Sequence, residues 1–185
     1  EVHYAIEGSI YSCGNIIKWL RDKMHFFNTA KDSENFLNTN GKTNNVLFLP
    51  AFNGLGAPFW DSDIRGGFYG ITQDSSIEDM VTAAFQAITF QTKEITSILE
   101  DYDIEIGKLL VDGGMVENNA FCQALADTLK KEILQPENVE STAIGACKVC
   151  MLASGIDIDS LNNSKIKSFI PDQTQVKTYY KNYKN

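Results

Sequence analysis

Basic residues are the minority charge in this 185-residue sequence: 16 Lys and Arg stand against 24 Asp and Glu, for a net charge of −8. The cations are scattered rather than gathered into a stripe. That excludes a nucleic-acid backbone as the main partner, because such binding rests on clustered Lys and Arg, and an acidic surface disfavours anionic membranes. Long apolar runs are lacking too. No stretch approaches the roughly 18 to 20 uninterrupted apolar residues of a spanning helix, and Glu1-Val2-His3-Tyr4 has neither the basic start nor the apolar run of a signal peptide. A cytoplasmic location without membrane span is the expectation. Histidine is scarce, with only His3 and His25. Of the four cysteines, Cys147 and Cys150 form a C-x-x-C pair, but a zinc site wants four nitrogen or sulfur ligands at motif spacing, and further histidines or cysteines are not there to supply them. The pair falls in a mostly apolar helical pattern over residues 143 to 153, so small buried hydrophobes in a reducing compartment are expected.

What is present is ordinary for a globular domain: 43% hydrophobic and 22% charged residues, enough to bury one sizeable core. One domain over 1–185 is expected, with 160–185 as a tail extension. The opening residues 2 to 6 have β character and start without helix cap or initiator methionine, as though they continued an upstream strand.

Apolar residues at positions 16, 17, 19, 20, 24 and 27 recur at three- and four-residue spacing, which predicts an amphipathic helix over 13–27. A polar surface excursion follows over 28–45, with room for a short helix. The run 46–49, closed by Pro50, predicts a buried strand, and 51–63, with its glycines beside Pro58, Phe59 and Trp60, predicts a packed, rigid loop. Asp61, Asp63 and Arg65 read as ordinary surface ion pairs. Strand character resumes over 66–71, and Ser75-Ser76 ahead of Glu78 and Asp79 predicts a capped helix over 77–99. A core strand over 108–111 stops at Asp112-Gly113-Gly114, and a helix is predicted over 118–131. A short strand over 132–134, then a cap at Ser141 or Thr142, lead to a helix over 143–153 ended by Gly155. Strands alternating with helices indicate an α/β domain, a mixed sheet with helices packed on it.

The segment around Asp112-Gly113-Gly114 is the chief candidate for chemistry. Ligands of open α/β sheets bind at the carboxyl edge, glycine lets the main chain approach a phosphate, and the next helix offers unpaired N–H groups. Two readings stay open: the glycines serve only a positive-φ turn, or they admit a nucleotide. Asn118 is likewise either a helix cap or a ligand contact, and Gly14 either a close-packing position or part of the same site.

Taken together, several segments are similar, in order and spacing, to the glycerol kinases of the FGGY family of carbohydrate kinases. They are Tyr4-Ala5-Ile6-Glu7-Gly8, Gly14 through Trp19-Leu20-Arg21-Asp22, Pro50-Ala51-Phe52-Asn53-Gly54-Leu55-Gly56-Ala57-Pro58-Phe59-Trp60-Asp61, Arg65-Gly66, Gly70-Ile71-Thr72, Ala87-Ile88-Thr89-Phe90-Gln91-Thr92, Val111-Asp112-Gly113-Gly114, Asn118-Asn119 and Thr142-Ala143-Ile144-Gly145-Ala146. Gly66, Phe68, Gly70, Ile71, Asp79, Met80, Ala83 and Gln86 also follow the second signature of that family. The resemblance covers roughly residues 2 to 156. It implies an actin-like, ribonuclease-H-type α/β fold and the C-terminal, nucleotide-binding lobe of a two-lobed kinase, whose sugar-binding lobe lies upstream of Glu1. It further implies ATP or ADP as ligand at Gly14, Lys18, Gly114 and Asn118, and Mg²⁺ held mainly through the nucleotide and the other lobe. Glycerol is the implied acceptor, gripped by that other lobe, with no catalytic residue and no metal ligand here and a possible homo-oligomer of the parent enzyme. The family usually carries glutamine where this chain has Lys18; the ammonium either reaches a phosphate or faces water. Alternatives are another acceptor of the same family, such as xylulose or gluconate, and a noncatalytic nucleotide-binding module.

Overall fold

The computed structural model describes residues 5–37, 45–157 and 165–172. Its elements run α1 (Gly14–Asp22), a 3-10 helix (Ala30–Phe36), β1 (Leu47–Leu49), β2 (Gly67–Tyr69), α2 (Ile77–Asp101), β3 (Lys108–Leu110), a second 3-10 helix (Gly114–Glu117), α3 (Asn119–Leu129), β4 (Glu132–Pro136), α4 (Ser141–Ala153) and β5 (Ile166–Phe169).

The mixed sheet expected from the alternating pattern is β3-β4-β5: β3 and β4 run parallel, joined through α3, and β5 adds antiparallel to the far side of β4. A separate hairpin pairs Leu47 with Tyr69 and Leu49 with Gly67. Between the two sheets lies α2, in contact with β1, α3, α1 and the first 3-10 helix. It is buried almost all round through its middle, from Val81 to Gln91 apart from Gln86, as a helix enclosed on several sides must be. Its start is capped at Ser76, one of the two serines the sequence offered, and the bonds prove reciprocal: Asp79 N–H donates to Ser76 Oγ at 3.2 Å and Ser76 N–H to Asp79 Oδ2 at 2.8 Å. Phe85, Ile88, Leu129, Ile133 and Val46 are fully enclosed, with Ile16 and Leu20 of α1 against them.

Several boundaries differ from expectation. The first helix stops at Asp22 rather than Phe27: the chain turns through His25 at φ 55°, and Phe26 N–H closes on Leu20 O at 3.1 Å. This lets Phe27 bury and meet Phe36. The polar excursion holds a full 3-10 turn, because Thr29 and Asp32 cap it reciprocally. No strand forms over residues 5 and 6; residues 2–4 lie outside those described. Within the segment read as tail, Ile166–Phe169 is a sheet strand, and Phe169 enters the core; the tyrosines at 179, 180 and 183 lie outside the described residues.

The loop after β1 is held by its backbone, Leu55 N–H to Asp61 O at 2.7 Å. Phe59 and Trp60 are nevertheless exposed at its tip, at 49% and 66%, so that part is less packed than its composition suggests. Asp61, Asp63 and Arg65 form no ion pair with one another. The Asp61 carboxylate accepts from the N–H groups of Asp63 and Ile64, which hold it below the usual carboxylate range. Arg65 donates to the carbonyls of Ser62 and Ile64.

The largest departure is α4. It begins at Ser141 with Glu140 as its cap and no side-chain cap bond, so neither Ser141 nor Thr142 caps it. It ends at Gly155 as expected, at φ 69°. None of its residues is buried. Cys147 and Cys150 are exposed, which overturns their reading as core hydrophobes: an apolar helix shows no polar face from which its orientation can be read.

Candidate functional site

A cleft of about 780 Å³ opens where three segments converge: the start of α1, the first 3-10 helix, and the glycine turn leading into α3. Gly14, Lys18, Gly114 and Asn118, distant in sequence, all line it. It lies beyond the carboxyl end of β3, where the sheet hands the chain to α3 through Asp112-Gly113-Gly114, the edge at which α/β sheets present ligands.

The two glycines of the turn do different work. Gly113 sits at φ 88°, in the left-handed region that other residues avoid, and its N–H donates to Val139 O at 2.8 Å. Gly114 has no such backbone demand, and a Cβ placed there would meet nothing within 4 Å. Packing within this chain therefore does not require glycine at 114; a side chain would only project into open space beside the cleft. At Gly14 a Cβ would approach Met115 at no closer than 3.8 Å, an ordinary contact, so close helix packing is not its reason either.

Asn118 is a cap in this structure. Phe121 N–H donates to its Oδ1 at 2.9 Å, and its Nδ2 donates to Ser33 Oγ at 3.3 Å. Ser33 in turn donates to Ala30 O. With the residue only 9% exposed, Asn118 ties the first turn of α3 to the 3-10 helix across the cleft and positions both walls. Asn118→Ala is expected to cost about 1–2 kcal/mol of stability through the lost cap, with the loss of the Ser33 bond added, read as a fall in midpoint on urea unfolding. An unchanged midpoint would show that the cap is dispensable.

The charges facing the cleft are Lys18, Arg21 and Lys31 against Glu34 and Glu117. Arg21 is engaged by Asp22, with nitrogen–oxygen distances of 2.6 and 3.0 Å, and this partner holds the Asp22 carboxyl below its ordinary range. Lys18 and Lys31 form no ion pair with a described residue. The site thus combines free ammonium groups, a helix N-terminus and an open glycine, a set suited to an anion with an extended organic part. At its edge the Cys13 thiol donates to Met115 Sδ at 3.4 Å, and burial pushes the Cys13 thiol up, which keeps it a neutral packing group. Lys31, Ser33 and Glu34 escaped notice as site residues in the sequence; the Thr29–Asp32 capping pattern was the one signal that an ordered turn stood there. Among the described residues no group of three or more His, Cys, Asp or Glu forms a metal site, and no helix is long and apolar enough to cross a membrane.

The chain is similar to known proteins in sequence and in fold. The family model for the FGGY family of carbohydrate kinases, C-terminal domain, matches residues 1–154. The chain is 41% identical over 156 residues to the glycerol kinase of Xanthomonas campestris pv. campestris (strain 8004), covering 84% of this chain and 31% of that protein. It is 42% identical over 164 residues to the glycerol kinase of Streptococcus pyogenes serotype M6, covering 87% and 32%. Plasmodium falciparum glycerol kinase, solved with ADP, superposes at a TM-score of 0.72 with 30% identity over 86% of this chain and 33% of that one. A Brucella ovis kinase described as a xyloylose kinase reaches 0.78 at 23% identity, covering 96% and 37%, a likeness of fold. The chain spans about a third of the length of these curated relatives. With the family model matched along most of its length, the chain belongs to the FGGY family of carbohydrate kinases, in the part that forms their C-terminal domain.

Proposed function

We propose that this chain is the nucleotide-binding lobe of a glycerol kinase, which transfers the γ-phosphoryl of ATP to a glycerol hydroxyl to give ADP and glycerol 3-phosphate, and that it is inactive without a sugar-binding lobe. The observation that carries this reading is the convergence of Gly14, Lys18, Gly114 and Asn118 on one cleft. Glycerol as acceptor is supported by the 41–42% identity to glycerol kinases.

In this reading the residues of the chain bind and orient; they do not react. Gly114 lets the backbone come close to the nucleotide, the N-terminus of α3 and the Lys18 ammonium favour its phosphates, and the Asn118–Ser33 bond keeps the cleft walls at their spacing. Positioning of this kind is a large part of phosphoryl-transfer catalysis. The described residues include no cluster suited to Mg²⁺, so the ion would enter on the nucleotide and be held by the remainder of the enzyme. A cleft open on one side also leaves water in reach of a phosphoryl group, which a closing second lobe would exclude.

The direct test is glycerol-dependent ADP formation with Mg-ATP, by the chain alone and after mixing with the amino-terminal lobe of a glycerol kinase. Activity only in the mixture supports the reading. No activity in either, with both parts folded, points to a noncatalytic module, and a pentulose preferred over glycerol would change the acceptor. Lys18 has its own prediction. Lys18→Ala should weaken ADP binding several-fold at low ionic strength and much less at high salt, because an exposed ammonium acts on phosphate through a screened Coulomb interaction. Salt-independent affinities, equal in the two proteins, would assign Lys18 to solvent.

A further inference from the structure

The strand β5 reaches back to the cleft through one side chain. The Lys167 ammonium donates to Asn119 Oδ1 at 2.6 Å, and Asn119, the first residue of α3, lines the cleft beside Gly114 and Asn118. The same ammonium stands over the ring of buried Phe169, 4.9 Å from its centroid, a contact that favours a cation at that place. Lys167 is thus held at the amino end of α3 from a position 48 residues further along the chain.

Holding β5 in place does not require this bond. The strand pairs with β4 from Phe169 opposite Ile133 to Ile166 opposite Pro136, and Phe169 is buried. The residues after it are tied to α3 by Gln123 Nε2 donating to Ile170 O at 2.8 Å and by Asp172 N–H donating to Asp127 Oδ1 at 2.7 Å. Nor does the helix reward the charge, because a cation beside the first turn is opposed by the helix dipole. A bound anion reverses that balance, since the ammonium and the helix N-terminus both attract it.

We propose that Asn119 donates through its Nδ2 to a phosphate oxygen of the nucleotide, and that Lys167 is the positioning residue that orients it. The proposal rests on the nucleotide reading of the cleft. An ammonium carries three donors and no acceptor, so it engages the Oδ1 of Asn119 and fixes the sense of the amide; turned over, the amide would set donor against donor. Nδ2 has no partner among the described residues. The edge of Asn119 left to a ligand therefore carries donors only, which suits an anionic acceptor and opposes a cation.

The test is calorimetric titration of the chain with ADP and with adenosine, run beside thermal melts. Lys167→Met and Asn119→Ala are each expected to weaken ADP binding about tenfold, the order of one hydrogen bond to a charged group, while adenosine affinity and the melting midpoint stay at the parent values. Lys167→Arg, which keeps charge and donors, should recover most of the loss. The double variant should lose no more than the worse single one, because Lys167 acts through Asn119. Ser168→Ala removes another side-chain bond of β5, to Glu132 Oε1, and should leave ADP binding unchanged. The proposal is overturned if the two losses add, which would make Lys167 a remote charge, or if Ser168→Ala weakens ADP as much as Lys167→Met, which would assign the effect to strand docking. An equal loss for adenosine would move the contact to the base or ribose and overturn it too, as would full ADP affinity in both single variants. A parent that binds no ADP refutes the nucleotide reading itself, and this proposal with it.

Discussion

Gly114→Leu is expected to leave the fold intact and to weaken ADP binding by roughly a hundredfold, a difference of about 2.7 kcal/mol. The two halves of that result have separate causes. Stability is spared because Gly114 needs no left-handed backbone and a Cβ there meets no neighbour within 4 Å. Binding is lost because the added side chain occupies space beside Lys18, Asn118 and the first turn of α3, where a ligand would approach the main chain. The neighbouring position serves as a contrast. Gly113→Leu forces a branched side chain into φ 88°, which costs on the order of 1–3 kcal/mol of strain, so it should lower stability as well. Calorimetric titration with ADP, run beside thermal melts, separates the two. If Gly114→Leu binds ADP like the parent, the cleft is not where the nucleotide goes; if it melts far below the parent, Gly114 is a folding glycine.

Phe85→Ala should be among the most destabilising single changes in the chain, at about 3–5 kcal/mol, which lowers the melting midpoint by roughly 10 °C for a domain of this size. Phe85 is 2% exposed at the centre of α2 and packs on Phe121 of α3 with ring centroids 5.6 Å apart. It also forms part of the cleft wall. Truncation therefore opens a void between the helix that organises the core and the helix whose N-terminus faces the cleft. Phe85→Leu, which keeps most of the volume, should cost less than half as much. Equal losses for Ala and Leu would mean that the aromatic contact with Phe121, rather than the void, dominates; little loss for either would show that the core relaxes around the site.

The parts of the fold legible in the sequence are those where one local signal has one outcome. Ser76 with Asp79 starts α2 in the sequence pattern and in the structure. The run ending at Asp112-Gly113-Gly114 is a strand feeding a glycine turn, although Lys108 and Leu110 are exposed and Leu109 only half-buried, so within this chain it is not the core strand its apolar run suggests; Gly155 follows the end of α4. Less was legible where tertiary contacts outvote periodicity. The spacing that extended α1 to Phe27 is genuine, since Phe27 is buried, but it reaches the core through a turn at His25 rather than as another helical turn. The strand Ile166–Phe169 was not visible, because four residues without alternation carry little signal and their pairing partner, Ile133–Pro136, lies some thirty positions earlier.

By itself the sequence determined the α/β alternation, the glycine turn, the capped central helix and the motif order of the FGGY kinases, because each is written in neighbouring residues. Only the tertiary structure decided that Gly14, Lys18, Gly114 and Asn118 share one cleft, that Ser33 joins them through Asn118, and that α4 buries neither of its cysteines within this chain. The reason is physical: periodicity reports which residues can be buried, whereas what they meet depends on segments brought together from far along the chain.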